Sequence, residues 1–265
     1  MVQTVEANGA RIPLIGLGTW DLRGKTCARM VEEALRLGYR HIDTAAMYGN
    51  ETAVGEGLRA SGVPRDDVFV TTKVWSSDLR ARDFERSTHD SLAKLKLPCV
   101  DLLLIHWPNS SVPLKETIGA LCKMKREGFA RHVGVSNFTA ALVEQAAKLA
   151  TEPLVTNQIE CHVYLDQSKT IAASRKAAMS VTAYTPIARG RVEDDPTLNR
   201  IGLARGKTAA QVCLRYLVQQ DLIVIPRTSR SERLKENFAI FDFALTGAEM
   251  AEIAKLASPR GGIVS

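Results

Sequence analysis

The stretch CARMVEEALRLGYRHID, residues 27–43, decides the fold. Its first twelve residues carry apolar side chains three and four positions apart, the repeat of a helix with one buried face. YRHID (39–43) then switches to a short β-prone run that ends on a carboxylate. The same exchange recurs down the chain. β-like runs stand at VFVTTKV (68–74), VDLLLIH (100–106), RHVGVS (131–136), LVTNQIE (154–160), MSVTAYT (179–185) and LIVIP (222–226). Between them DFERSTHDSLAKL, LKETIGALCKMKREG, AALVEQAAKLA, QSKTIAASRKAA and AAQVCLRYLVQQ show the helical repeat. Alternation of this kind predicts parallel strands joined by crossover helices. With LIGLGTW (14–20) as the first strand there are eight, the number that closes a (β/α)₈ barrel.

Ahead of the first barrel strand, Asn8-Gly9 sits between two short β-prone runs, a hairpin signal, and such a hairpin can plug the bottom of a barrel. No linker, low-complexity tract or repeat divides the 265 residues, so a single barrel domain over 1–265 is expected. The competing architecture, a doubly wound open sheet, calls for a G-x-G-x-x-G turn after its first strand. Gly16, Gly18 and Gly24 do not have that spacing.

Composition narrows the function. The N-terminus lacks a basic stretch leading into an apolar run, and no window approaches eighteen apolar residues, which predicts a chain that neither spans nor anchors to a membrane. Five cysteines without C-x-x-C spacing argue against a disulfide framework and for a reducing cytoplasm. Cys161-His162 has no second pair at ligand spacing, so no metal site is expected. The net charge of +6 comes without an aromatic-interleaved basic stripe, which speaks against nucleic acid. Part of the excess is concentrated in Arg227, Arg230, Arg233 and Lys235, and a local anion site explains that cluster better.

Catalytic groups of a barrel gather at the carboxyl ends of its strands. Asp43 ends the second strand, Lys73 stands near the end of the third and His106 ends the fourth, with Tyr48 in the loop just past Asp43. Each alone has an ordinary structural reading: a turn cap, an ion-pair partner, a core histidine, a packed ring. Together at neighbouring strand ends they form a chemistry. A phenol with a pKa near 10 exchanges protons poorly at neutrality. An ammonium beside it, Lys73, is expected to lower that value, and a carboxylate, Asp43, keeps the ammonium charged. His106 can orient a substrate oxygen. Trp20, Trp75 and Trp107 follow the ends of strands one, three and four and, with Met47, could wall a pocket around these groups.

The stretches GLGTW, HIDTAAMYGNE, TTKVW, LIHWP, VGVSNF, TNQIE, AYTPIARG and IPRTSRSERLKENF resemble, in order and spacing, the motifs of the aldo-keto reductases, from Gly16 to about Leu256. Within the family the chain looks like the short bacterial branch that includes 2,5-diketo-D-gluconate reductases, particularly the B type. The resemblance implies a catalytic tetrad of Asp43, Tyr48, Lys73 and His106, and an NADPH-dependent reductase of aldehydes and ketones that needs no metal. It implies cofactor contacts from Gly18, Thr19, Trp20 and Asp43, and a nicotinamide held by Ser136, Asn137 and Gln158 with Tyr184 stacked on the ring. Thr185, Pro186, Ile187 and Gly190 would run beside the pyrophosphate. Arg227, Thr228, Ser229 and Arg233 would meet the 2′-phosphate and Asn237 the adenine. Helix N-terminal amides and guanidinium groups suit that phosphate. Arg227 stands where the family often has lysine, and Ala188-Arg189 departs from its glycine-rich turn.

Substrate contacts are expected from Trp20, Met47, Tyr48, Trp75, His106 and Trp107. Only SPRGGIVS follows the last helical segment, so a permissive pocket for small aldehydes, α-dicarbonyls and keto sugars is expected, in a monomer. Two other readings compete. One is an NADPH-binding regulatory subunit with little turnover, for which no degraded tetrad or added interaction segment speaks. The other is a Schiff-base aldolase, which needs a neutral Lys73 that Asp43 opposes.

Overall fold

The computed structural model describes residues 2–264. Its first elements are strands β1 (Thr4–Ala7) and β2 (Ala10–Pro13), an antiparallel hairpin. Asn8 (φ 46°) and Gly9 (φ 83°) both take the left-handed region that a two-residue hairpin turn requires. The Asn8 side-chain amide donates to the carbonyls of Leu154 (2.7 Å) and Ala177 (3.3 Å), at or just before the starts of two barrel strands. That contact places the hairpin at the amino ends of the strands, as a plug.

The barrel strands follow as β3 (Leu17–Gly18), β4 (His41–Asp43), β5 (Phe69–Val74), β6 (Val100–Ile105), β7 (Ala130–Ser136), β8 (Leu154–Glu160), β9 (Ser180–Tyr184) and β10 (Ile223–Val224). Each pairs in parallel with its neighbour in chain order. The ring closes through parallel bridges Ile15↔Val224 and Gly18↔Arg227. β3 and β10 are much shorter than the runs 14–20 and 222–226 suggested. Pro226 has no N–H to give the ladder, so closure there rests on separate bonds: Gly16 N–H to Val224 O (2.9 Å), Val224 N–H to Leu14 O (2.9 Å) and Gly18 N–H to Pro226 O (3.2 Å).

The helices are α1 (Gly24–Leu37), α2 (Glu51–Ala60), α3 (Ala81–Leu95), α4 (Leu114–Arg126), α5 (Ala140–Leu149), α6 (Ser168–Lys176), α7 (Pro196–Leu203), α8 (Ala209–Val218), α9 (Ser231–Phe238) and α10 (Gly247–Ala254). In α1 the face formed by Cys27, Met30, Val31, Ala34 and Leu35 is buried, in line with the spacing of the opening stretch. Gly38 (φ 120°) closes the helix by donating its amide to Ala34 O and Leu35 O and turns the chain into β4. Helix α2 carried no clear periodic signal because its packing face is made of small residues. A Cβ on Gly57 would lie 2.7 Å from Val31 Cβ and collide with the Ala28 carbonyl, while one on Gly55 would meet Leu95. The two glycines let α2 lie directly on α1 and on the end of α3.

Candidate active site

Asp43, Tyr48, Lys73 and His106 meet at the carboxyl end of the barrel, as the strand ends predicted. Asp43 is the last residue of β4 and Lys73 lies one position before the end of β5. The Lys73 Nζ donates to Asp43 Oδ1 at 2.6 Å, to Thr44 O at 2.9 Å and to the Tyr48 hydroxyl at 3.3 Å. Gln158 Nε2 donates to the other Asp43 oxygen at 2.7 Å, so both carboxylate oxygens are held. Lys73 is fully buried and Asp43 nearly so. A buried pair of this kind persists only when its remaining bonding positions are satisfied, which Thr44, Tyr48 and Gln158 do.

Burial disfavours the Lys73 ammonium, but Asp43 and Tyr48 outweigh it and hold its pKa above the ordinary lysine value. For Tyr48 the balance differs from the expectation of a lowered pKa. Burial pushes the phenol up and exceeds the pull of Lys73, so the hydroxyl remains a proton carrier at neutral pH. His106 is pushed down to about 3 by burial and by Lys73, which makes it a neutral imidazole. Its ring stands edge-on to Tyr48 (5.6 Å between centroids) and to Trp75 (4.9 Å), and its Nδ1 has no partner.

The loop bearing Tyr48 is fixed by residues that the sequence reading passed over. A single turn over Ala46–Tyr48 ends on Gly49 (φ 65°). Beyond it the buried Asn50 donates to Thr19 O (2.7 Å) and Leu22 O (2.9 Å), and accepts from the Thr44 hydroxyl (2.9 Å). Asn50 therefore ties the Tyr48 loop to the loop after β3. Nothing in local sequence distinguishes it from a surface turn asparagine, since Thr19 and Leu22, the carbonyls it ties down, lie 31 and 28 residues away.

Ser136, Asn137, Gln158 and Tyr184 lie beside the tetrad and are bonded to one another. Ser136 Oγ donates to Gln158 O (2.8 Å), and the Tyr184 hydroxyl donates to Asn137 Oδ1 (2.8 Å). Asn137 Nδ2 donates to His106 O (2.9 Å) and to Ser136 Oγ (3.1 Å). Asn137, just past β7, has a positive φ, and so do Thr185, Ala188, Arg189 and Gly190, which shape the segment after β9 into a close series of left-handed turns running past Pro186 and Ile187. The Thr185 hydroxyl is buried there without a partner.

On the far side of the mouth, Thr19 donates from both N–H and hydroxyl to Asp43 O, and Gly18 lies so near the Ile225 carbonyl that a Cβ would stand 2.6 Å from it. Arg227 donates to Trp20 O (3.3 Å) and Asp21 O (3.2 Å), while Arg233 pairs with Glu193 at 2.8 Å. Thr228 accepts the Arg230 amide ahead of α9, Ser229 lies between them, and Asn237 is buried within that helix. An unpartnered buried hydroxyl and a group of guanidiniums at the first turn of α9 form a donor set suited to a phosphorylated nucleotide.

Trp20 (49% exposed) and Met47 (43%) stand at the rim, and Trp75 and Trp107 are partly buried. Ala46, Met47 and Trp75 border a cavity of about 300 Å³ whose other walls, Asp78, Arg86, Ser87, Asp90 and Lys94, are polar. Among the described residues no group of three or more His, Cys, Asp or Glu side chains could hold a metal ion, and no helix is long and apolar enough to cross a membrane.

Comparison with known proteins agrees with this geometry. The model of the Aldo/keto reductase family matches residues 14–258. The methylglyoxal reductase DkgB of Escherichia coli O157:H7 is 39% identical over 259 residues, covering 94% of this chain and 97% of that protein. A crystal structure bearing the working name 2,5-diketo-D-gluconic acid reductase B superposes with a TM-score of 0.98 at 52% identity, over 100% of this chain and 95% of that one. The Bombyx mori aldo-keto reductase in complex with NADP superposes with a TM-score of 0.91 at 32% identity, over 97% and 93% of the two chains.

Proposed function

The chain belongs to the aldo/keto reductase family and is an oxidoreductase of carbonyl compounds, and on that premise we propose that it reduces aldehydes and ketones with NADPH, Tyr48 supplying the proton. The observation that carries this reading is the buried run from Asp43 through Lys73 to the Tyr48 hydroxyl, bonded at 2.6 Å and 3.3 Å. When bound, the reduced nicotinamide supplies the hydride that the carbonyl carbon accepts. Tyr48 donates to the carbonyl oxygen as negative charge develops on it, and the Lys73 ammonium stabilises the phenolate left behind. The neutral His106 offers a ring N–H to orient that oxygen without competing for the proton.

In this reading Gly18, Thr19, Trp20, Asp43, Ser136, Asn137, Gln158 and Tyr184 border the nicotinamide half of the cofactor, and Thr185, Pro186, Ile187 and Gly190 its pyrophosphate. Arg227, Thr228, Ser229 and Arg233 take the 2′-phosphate, with Asn237 at the adenine. Small aldehydes, α-dicarbonyls and keto sugars such as 2,5-diketo-D-gluconate are the substrate class, in keeping with relatives named for methylglyoxal and for 2,5-diketo-D-gluconic acid. Trp20, Met47, Trp75 and Trp107 are the residues proposed to meet them.

Steady-state oxidation of NADPH by the Tyr48→Phe variant tests the mechanism. Turnover is expected to fall by about 10²- to 10⁴-fold, the usual worth of a positioned acid, while nucleotide binding followed by protein fluorescence is retained. Undiminished turnover would remove Tyr48 from the proton path.

A further inference from the structure

Tyr48 stands on a stretch with little packing of its own. Of Ala46, Met47, Tyr48 and Gly49 none is buried, and Gly49 (φ 65°) turns the chain in the left-handed region. Ala46 and Met47 border the cavity of about 300 Å³ that Arg86, Ser87, Asp90 and Lys94 of α3 also line, so on that flank the stretch meets a gap. Apolar contact does little to fix the phenol, and hydrogen bonds just past Gly49 take its place. Asn50 supplies those to the loop after β3. Glu51, a carboxyl that the proposed reaction does not use, supplies one to β5.

A glutamate in the first turn of a helix is ordinarily exposed, where the dipole favours its charge. Glu51 is the first residue of α2 and yet only 1% exposed. Its Oε1 accepts from the Thr72 hydroxyl at 2.6 Å, and its Oε2 has no partner. Burial holds the carboxyl above its ordinary range against the pull of Thr72, Ser91, Lys94 and Lys73. Thr72 immediately precedes Lys73 on β5, and side chains alternate between the faces of a strand, so the two point opposite ways. Adjacent positions of one strand thus carry the ammonium that meets Tyr48 at 3.3 Å and the hydroxyl that meets Glu51, three residues beyond Tyr48. The chain from Tyr48 to Glu51 is closed into a small circuit by β5.

We propose that Glu51 is a positioning residue of the reductase centre, its bond to Thr72 anchoring the Tyr48 loop to β5 and so setting the reach between the phenol and the Lys73 ammonium. The inference rests on the carbonyl-reductase reading of the same site. The anchor needs one acceptor oxygen at position 51 and no charge.

The experiment compares the parent with Thr72→Val and Glu51→Met, which remove the bond at similar side-chain size, with the two combined, and with Glu51→Gln. A misplacement of about 1 Å can cost about 10²-fold in rate. In single turnovers of NADPH with methylglyoxal, each bond-removing variant is expected to be slower by about ten- to a hundredfold, while the Kd of NADPH from protein fluorescence stays within about twofold. Gln keeps an acceptor oxygen and should stay within about threefold of the parent. The combined variant should be no slower than either alone, since both changes remove one contact. The high-pH limb of kcat/KM should move upward in Thr72→Val, because a phenol further from the ammonium loses part of its pull. A merely structural role would lower stability and leave that limb in place. Parent-like rates in Thr72→Val, an unmoved limb, a Gln variant as slow as Met, or full addition in the combined variant would each overturn the proposal. Should Glu51→Met not fold, Thr72→Val carries the test alone. Hydrogen exchange at the amides of residues 46–50 gives a readout independent of turnover. It should be faster in Thr72→Val than in the parent, and equal exchange would refute the anchor. If the parent reduces no carbonyl at all, the reductase reading falls, while exchange still judges the anchor.

Discussion

At the scale of single residues the centre is a set of opposed effects whose sum decides the chemistry. Lys73 stays charged in a fully buried site only because Asp43 faces it at 2.6 Å. Removing the ammonium leaves that carboxylate buried without its counter-charge, which typically costs about 3–5 kcal/mol. Lys73→Met is therefore expected to lower the unfolding free energy from urea titration by that amount as well as turnover, and unchanged stability would show that Gln158 and solvent suffice for Asp43. A separate expectation concerns Arg233, held by Glu193 at 2.8 Å on the first turn of α9. Arg233→Ala should raise KM for NADPH by about tenfold, the loss of roughly one charge-assisted bond, and leave KM for NADH nearly unchanged. Equal effects on both would remove the 2′-phosphate from this side chain. Asp43, Tyr48, Lys73 and His106 were legible because each lies at the carboxyl end of a strand or in the loop just past it. Asn50 was not, because Thr19 and Leu22, whose carbonyls it ties to this loop, are brought beside it only by the folded barrel.

At the scale of elements, the strands spoke clearly and the short helix α2 did not. The run VDLLLI, apolar but for Asp101 and buried at every position, has the length and continuity of a strand covered on both faces in a parallel sheet. Helix α2 is built on glycines that propensity counts against a helix, yet those glycines are what bring it onto α1 and α3. Gly57→Ala tests this. On an exposed helix the exchange would stabilise by about 1 kcal/mol. Here the new methyl would stand 2.7 Å from Val31 Cβ and against the Ala28 carbonyl, so a net loss of about 1–3 kcal/mol is expected in thermal or urea unfolding. A gain would mean that α2 can shift away from α1 at little cost. The closing strands β3 and β10 were over-read for a related reason. Apolar runs mark what is buried, whereas the ladder at the closure depends on which amides exist, and Pro226 offers none.

At the scale of the whole molecule, buried imidazoles tie stability to pH. Burial lowers His41 to about 4 and His106 to about 3, against an ordinary value of 6.5 in the unfolded chain. Below pH 6.5 the unfolded chain therefore binds protons that the folded one refuses. Stability is fully present above that value and declines as pH falls toward 4. The slope is about 1.4 kcal/mol per pH unit for each such histidine once the unfolded side chain is fully protonated. Glu51, held above the usual carboxylate range by burial, works in the opposite direction, one group against four, since burial also lowers His132 and His162. Urea midpoints measured from pH 7.5 to 4 should fall, and a flat profile would contradict the burial of both rings.

The ring of strands is joined at one place by little more than three amide bonds, between the chain around Gly16–Gly18 and that around Val224–Pro226. Gly18 and Arg227 face each other across this seam, and both belong to the surface proposed to receive the nucleotide. A ligand lying there would span the weakest join in the circle as a staple spans a split. Breathing of the barrel and residence of the coenzyme would then be two descriptions of one equilibrium.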